Sequence, residues 1–347
     1  MSKKILLLCI FIYAKGFAMQ FTPVDSFEIR MVKEQKITEA IQNGDEDKIL
    51  KYIKSGLDIN KRFWDGSTFL CDAIRYKQPE MIKLLLELKA DPNLRTAPFK
   101  NSNDEWIPED SPLETAIVFD SDFFTARLLL KYGANINDTD FYYGTLLHEV
   151  ISGKGDMMIS GRYSENNDSL IFRKNQAASM KKVQWLIKNG ANVNQPDPNG
   201  NSPLYKALDF GYYDIAELLI DNGASVNINT RDGKGLLHLV ESQPFLSKLI
   251  NLGSDVNART ESGLTPLHFA VFSENYKKAK LLVENNADVN AKDYDSHLTP
   301  LGWLIVDSFN TEIARLLISH GAEIPDDLVK QYGWTIEIEK IKKELKR

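Results

Sequence analysis

The side chains of this chain that could do covalent or acid–base chemistry are few, and their spacing does not assemble them. There are five histidines: His148, His238, His268, His297 and His320. None belongs to a His-Glu-x-x-His pair, the helical spacing that presents two zinc ligands and a base on one face. Gly-Lys-Gly at 153–155 and at 233–235 lacks the framing of a phosphate-cradling loop and reads as turn chemistry. No Gly-x-Ser-x-Gly elbow offers a nucleophilic serine. Cys9 and Cys71 are the two thiols, too few for a thiolate metal cluster. Cys71 falls inside a predicted helix, where inert burial is expected. An enzyme would have to use Asp156, Glu165 and Asp168, in a stretch without His or Cys, which is poor material for a site. The expectation is a chain with no catalytic residue, no metal and no cofactor.

What does recur is a phrase that closes on Asn. It ends at Asn60, Asn93, Asn137, Asn194, Asn227, Asn257 and Asn290, and an eighth copy, Ala-Glu-Ile-Pro, ends at Pro325. The spacings are 33, 44, 57, 33, 30, 33 and 35 residues. A base period near 33 with insertions is a repeat array, in which each unit contacts its neighbours and the product is an extended surface rather than one closed pocket.

The unit from Ala258 to Asn290 shows how a repeat is built. Thr260-Glu261-Ser262-Gly263 is a turn phrase. Thr265-Pro266-Leu267-His268 opens a helix, with Thr as N-cap and Pro where its missing N–H costs nothing. Leu267, Ala270 and Val271 recur at helical spacing, and Tyr276 to Glu284 makes a second helix with Ala279, Leu281, Leu282 and Val283 on its apolar face. In other units the closing phrase begins with Gly133, Gly190, Gly223 or Gly321, the expected left-handed residue past a helix end.

Thr-Pro-Leu-His, the paired apolar residues of the second helix and the closing Gly-Ala-x-Val-Asn together resemble the ankyrin repeat. The resemblance runs from about Lys33 to the C-terminus. It implies an all-α ankyrin-repeat solenoid of helix-turn-helix units joined by β-hairpin-like fingers. It also implies that His148, His238 and His268 make a structural hydrogen bond to the helix-opening Thr. The expected division is a 1–18 signal peptide, a 19–32 linker, a 33–60 N-terminal capping unit, and units at 61–93, 94–137, 138–194, 195–227, 228–257, 258–290 and 291–325, closed by a capping segment at 326–347. Polar terminal repeats keep such an array soluble.

Three units break the period. The finger before Ser111 gains eleven residues, including Phe99, Trp106 and Ile107. The unit 138–194 carries an inserted loop at 153–178, rich in Gly, Ser and Asn, with apolar residues that could fold in part. The unit ending at Asn257 is shortened, with Pro244 where its helices meet.

In this family ligands meet the finger tips and the first helix of each pair. Carried over by motif position, the expected partner-binding residues are Trp64, Tyr76, Trp106, Tyr142, Phe210, Phe272, Tyr294 and Trp303. Polar residues suffice in a purely structural finger, so aromatics at tips point to contact with another molecule, and Trp, Tyr and Arg dominate interface hot spots. Trp64, Tyr76 and Tyr294 are expected to be exposed. Phe63, Phe119 and Phe269 fit core and surface equally well.

Residues 1–18 read as an export signal. Lys3 and Lys4 precede the apolar run Ile5 to Ala14, and Gly16-Phe17-Ala18 offers a small-residue cleavage site. The run is too short to cross a hydrocarbon core of about 30 Å as a helix, so no membrane span is expected in the mature form. The net charge of −6 becomes more acidic when Lys3, Lys4 and Lys15 leave, which argues against nucleic acid as a ligand. The reading is a monomeric, non-catalytic protein-interaction scaffold, secreted or periplasmic, that binds a partner protein on its concave face. A bacterial-style signal beside a eukaryote-like repeat suggests a host protein as target. The alternative is a resident periplasmic protein supporting an envelope process or a partner enzyme.

Overall fold

Short amphipathic runs separated by Gly-, Asn- and Asp-rich turns resolve into helix pairs. The computed structural model describes residues 24–100, 106–107, 109–119, 123–140, 144–152, 169–228, 230–307 and 309–346, with the backbone path alone at 24–30, 99–100, 106–107, 119 and 169–178. The expected signal at 1–18, Tyr142, the 153–168 part of the insertion, and the side chains of Trp106 and Phe119 lie outside the described residues. The chain divides into two units, Met1–Asn135 and Ile136–Arg347.

Among its described residues the first unit contains three helix pairs: α1 (Val24–Gln42) with α2 (Glu46–Lys54), α3 (Phe69–Arg75) with α4 (Pro79–Glu87), and α5 (Pro112–Phe119) with α6 (Phe124–Lys131). Its long finger is an antiparallel ribbon of β1 (Phe99–Lys100) and β2 (Trp106–Ile107), with Phe99 opposite Ile107. An isolated bridge from Arg62 to Thr68 closes the shorter finger.

The second unit opens with the ribbon β3 (Thr139–Asp140) and β4 (Gly144–Thr145). Its pairs are α7 (Leu146–Ser152) with α8 (Ser169–Lys188), α9 (Pro203–Asp209) with α10 (Tyr213–Asp221), α11 (Leu236–Leu239) with α12 (Gln243–Asn251), α13 (Pro266–Phe272) with α14 (Tyr276–Glu284), α15 (Pro300–Val306) with α16 (Thr311–Ser319), and α17 (Asp326–Tyr332) with α18 (Thr335–Leu345). Later fingers are closed by single backbone bonds, such as Thr260 N–H to Leu264 O at 3.0 Å and Asp293 N–H to Leu298 O at 3.1 Å.

Two boundaries differ from those expected. The 19–32 linker is helical from Val24, so the capping unit starts earlier. The 153–178 insertion is helical from Ser169, which makes α8 a twenty-residue second helix rather than a short one after a long loop. Nothing from Ser169 to Met180 breaks a helix, since the stretch holds neither Gly nor Pro.

Helix starts follow the caps read in the sequence. Ser202 Oγ accepts from Tyr205 N–H and Thr299 Oγ1 from Gly302 N–H, both at 3.1 Å. One residue of each apolar pair reaches the bottom of the core: Leu85, Leu129, Leu186, Leu219, Leu249, Leu282 and Leu317 are all fully buried. Each contributes about 1.5–3 kcal/mol by leaving water. At the start of the first unit Ile37, Ile41 and Ile49 bury one face of α1 and α2, and at the end of the second Val329, Ile338 and Ile341 do so for α17 and α18.

The recurring Asn ties one repeat to the next. In the second unit the amide Nδ2 groups of Asn194, Asn227 and Asn290 donate to the backbone oxygens of Gly223, Gly253 and Gly321 at 2.9, 2.9 and 3.0 Å. The same side chains accept, through Oδ1, from the backbone N–H of Ser225, Asp255 and Glu323 at 2.8, 3.1 and 2.8 Å. Asn137 and Asn257 repeat the pattern, and in the first unit Asn93 holds Gly133 O and Asn135 N–H. A primary amide donates from one atom and accepts at another, so a single Asn side chain can bridge a carbonyl and an N–H at once, which suits Asn to this position. Pro325, in the eighth copy, instead caps α17.

Candidate functional site

The histidines come first, because their positions decide what chemistry is left. Thr265 N–H donates to His268 Nδ1 at 3.1 Å and Thr145 N–H to His148 Nδ1 at 3.2 Å, as the resemblance implies, whereas at His238 the opening residue is Gly235 rather than Thr and its backbone N–H donates to Nδ1 at 3.0 Å. The opposite nitrogens reach the next finger: His148 Nε2 to Asn201 O at 3.0 Å, His238 Nε2 to Leu264 O at 3.2 Å and His268 Nε2 to Leu298 O at 3.3 Å. With Nδ1 accepting, the proton sits on Nε2, and both nitrogens are used. Burial pulls all three below the ordinary histidine range, so they are neutral at pH 7. Burial likewise pushes the Cys71 thiol up to about 11, so it is no nucleophile at neutral pH.

The surface aromatics fall into two groups, one in each unit. In the first, Trp64 is 58% exposed on the Arg62–Thr68 finger, its backbone N–H held by Glu34 at 2.8 Å. Phe63 next to it turns inward, buried against Phe69 with ring centroids 4.8 Å apart. Tyr76 caps the end of α3 and is 38% exposed.

In the second unit two expected residues meet. Phe272, 66% exposed at the end of α13, and Trp303, half-buried on α15, line one apolar cleft of about 200 Å³ together with Leu264, His268 and Phe269. α13 and α15 pack side by side, which brings the equivalent faces of successive first helices together. Phe269 is half-buried: its ring sits edge-on to His238 at 5.1 Å while it lines the cleft.

Trp303 is held by its polar end. Its indole N–H donates to Asp293 Oδ2 at 3.0 Å. Asp293 also accepts from the backbone N–H of Asp295, Ser296 and Leu298 at 3.0, 2.6 and 2.9 Å. Burial works to raise this carboxyl, but the hydrogen bonds from Ser296, Trp303 and Leu298 outweigh it and hold it at about 2. It is therefore ionised beside the indole edge.

Tyr294 stands on the same finger as Asp293 and is 57% exposed. Its N–H donates to Ser262 O of the preceding finger at 2.8 Å. Its ring lies over Gly263, where an added Cβ would come within 2.8 Å of ring carbons. The Arg259 guanidinium lies 5.7 Å from the ring centroid and donates to Gly263 O and Lys292 O. Phe210 is 40% exposed but stacks on Tyr212, at 5.8 Å, and is not part of the cleft. Sequence reasoning did not place Leu264, His268 or Asp293 at this surface. For His268 the repeat position spoke for a structural bond, and the ring edge does both jobs. Asp293 left a faint signal in its match to Asp197, which binds Asn199 and Asn201 N–H in the same turn.

A family profile described as ankyrin repeats (3 copies) matches residues 37–140, 170–232 and 229–293. A Rickettsia felis protein described as an ankyrin repeat protein is 33% identical over 137 residues, 38% of this chain and 44% of its own. An ankyrin repeat protein of fowlpox virus is 29% identical over 184 residues, 50% of this chain and 54% of its own. The nuclear factor NF-kappa-B p105 subunit of Gallus gallus is 42% identical over 149 residues, 41% of this chain and 15% of its own. The chain thus spans about half or less of the length of these curated relatives. With most of its length matched by the profile, and with helix pairs, fingers and linking Asn side chains in register, the chain belongs to the ankyrin-repeat family.

Proposed function

We propose that this chain is an exported, non-catalytic scaffold that holds a partner protein through the aromatic cleft of its second unit. One observation carries the reading: Phe272, Trp303 and Phe269 surround an apolar cleft, and the finger whose Asp293 holds the Trp303 indole also carries the exposed Tyr294. Exposed aromatics leave large areas for burial and lose little side-chain entropy on contact. Ankyrin repeats as a family serve protein–protein interaction, which supports the class of partner. The buried, hydrogen-bonded state of His148, His238, His268 and Cys71 supports the non-catalytic reading. Within the first unit, Trp64 and Tyr76 are proposed as separate contact residues, and Trp106 and Tyr142 are proposed as such on sequence position alone.

Export rests on Lys3-Lys4, the apolar run Ile5 to Ala14 and the Gly16-x-Ala18 site. The address proposed is the periplasm or the medium, and a host protein is the partner that an exported repeat scaffold fits. The test has two parts. Fractionation with N-terminal sequencing is expected to find a form starting near Met19 outside the cytoplasm; intact Met1 in the cytoplasm overturns export. A photo-crosslinking residue at position 272 or 294 is expected to trap a partner that the same residue at 336, 79% exposed on α18, does not. Equal trapping at all three positions overturns the assignment of the surface.

A further inference from the structure

We infer that the second-unit cleft receives one large apolar side chain from a basic segment of the partner, with Arg or Lys on both sides of that anchor. The inference rests on the reading of this surface as the protein-binding one and adds the chemistry of what binds. A cleft of about 200 Å³ holds a single Leu-, Met- or Phe-sized side chain. Its walls carry no ionised group. Phe269, Phe272, Trp303 and Leu264 are apolar, and His268 spends Nδ1 on Thr265 and Nε2 on Leu298. A charged group inserted there would lose hydration without a paired ion, which disfavours a carboxylate anchor.

Discrimination between apolar anchors then falls to the rim. The finger-and-first-helix segments 259–275 and 291–307, which supply the lining residues, carry Glu261, Glu274, Asp293, Asp295 and Asp307 against Arg259 and Lys292. Asp307 lies one helical turn beyond Trp303, its N–H bonded to Trp303 O at 3.0 Å, and Glu274 lies two residues beyond Phe272. Glu261, Glu274, Asp295 and Asp307 are all exposed. Of the two cations, Arg259 is engaged with the Tyr294 ring and two carbonyls. Lys277, exposed at the start of α14, and Lys292 offset part of this charge, and the four exposed carboxylates leave the surroundings of the cleft net negative. A partner segment with cations flanking the anchor is steered in, and an acidic one is repelled. The same field disfavours nucleic acid and anionic lipid as occupants.

The test uses the full chain and three fluorescein-labelled heptapeptides read by anisotropy. They are Arg-Lys-Arg-Phe-Arg-Lys-Arg, the same peptide with Ser for Phe, and Glu-Asp-Glu-Phe-Glu-Asp-Glu. The basic Phe peptide is expected to bind about ten-fold or more tightly than either control. Raising salt to about 0.5 M is expected to erase most of its advantage over the acidic peptide. Phe272→Ala is expected to weaken the basic Phe peptide about ten-fold. The pair Glu274→Gln with Asp307→Asn is expected to flatten the salt dependence, with circular dichroism unchanged. Equal binding of the acidic peptide, or wild-type binding by Phe272→Ala, overturns the inference. If position 272 still traps a partner by crosslinking while the acidic peptide binds as well as the basic one, the surface stands and its basic specificity falls. If neither crosslink nor peptide is seen, both fall.

Discussion

The ammonium nitrogen of Lys278 lies 3.2 Å from the backbone oxygen of His238, 40 residues earlier, and 2.9 Å from a carboxylate oxygen of Glu241. The reason lies in the shortened repeat. Helix α11 is one turn, Leu236–Leu239, so the carbonyls that a second turn would bond are left open. Lys278, on the second helix of the next repeat, fills one of those places. Asn275 Nδ2 binds the other oxygen of Glu241 at 2.6 Å and completes the link. Lys278 is 1% exposed, so removing its charge strands His238 O. Lys278→Met keeps the stem and is expected to cost about 1–3 kcal/mol, the usual range for an orphaned buried polar group. Urea midpoints measure it, with amide exchange over 236–251 rising first; an unchanged midpoint contradicts the role.

The Asn links have a similar test at a more exposed place. Asn227→Ala loses the bonds to Gly253 O and Asp255 N–H at once and is expected to destabilise by about 1–2 kcal/mol. Asn227→Asp keeps the acceptor but turns the donor into an anion facing Gly253 O, and is expected to cost at least as much. Faster exchange of the Asp255 amide in both variants marks the broken link; protection equal to wild type argues against it.

Acid sensitivity follows from the buried histidines. His148, His238 and His268 have folded-state pKa values below the ordinary value of about 6.5, so the unfolded chain binds more protons as pH falls. Their stabilisation is complete above about pH 6.5 and declines from there down to their lowered native values, by up to about 1.4 kcal/mol per pH unit for each. Asp72, in the first unit, works the other way. Burial raises its pKa to about 6, so it weakens the fold as pH climbs from 3.8 to 6. The measurement is the melting temperature against pH. His268→Gln is expected to flatten the decline below pH 6.5, and an unaltered slope refutes the assignment.

Two glycines with the same backbone sign separate strain from contact. Gly253, at φ 91°, has open space where a Cβ would go. Gly253→Ala is expected to cost about 1–2 kcal/mol of left-handed strain alone. Gly263, at φ 78°, would press its Cβ within 2.8 Å of the Tyr294 ring and 2.9 Å of Tyr294 N. Gly263→Ala is expected to cost more than Gly253→Ala and to shift the ring signals of Tyr294. Equal costs, with the Tyr294 resonances in place, would show that the finger yields without strain.

The repeat, its period, caps and apolar pairs were legible in the sequence because they are local. Thr265, Pro266 and Gly223 act within a few residues of themselves, and Leu219 or Leu282 is called for by helical spacing alone. The exposed placing of Trp64, Tyr76 and Tyr294 followed because no apolar periodicity asks for a buried side chain at those positions. The start of α8 at Ser169 was hidden because its Asn- and Ser-containing turns suggested loop composition while no residue there forbids a helix.

By itself, then, the sequence determined the family architecture and the inventory of surface aromatics, since both depend on near neighbours along the chain. The tertiary structure decided which of those aromatics meet. Phe272 and Trp303 are 31 positions apart and share a cleft because α13 and α15 stack, whereas Phe210 turns onto Tyr212. It also decided why the phrase closes on Asn, why Lys278 is buried and why His268 faces both Thr265 and the next finger. Each of these is a bond to a neighbouring repeat, and the stacking that forms such bonds is a property of packing across space, which no spacing along one chain records.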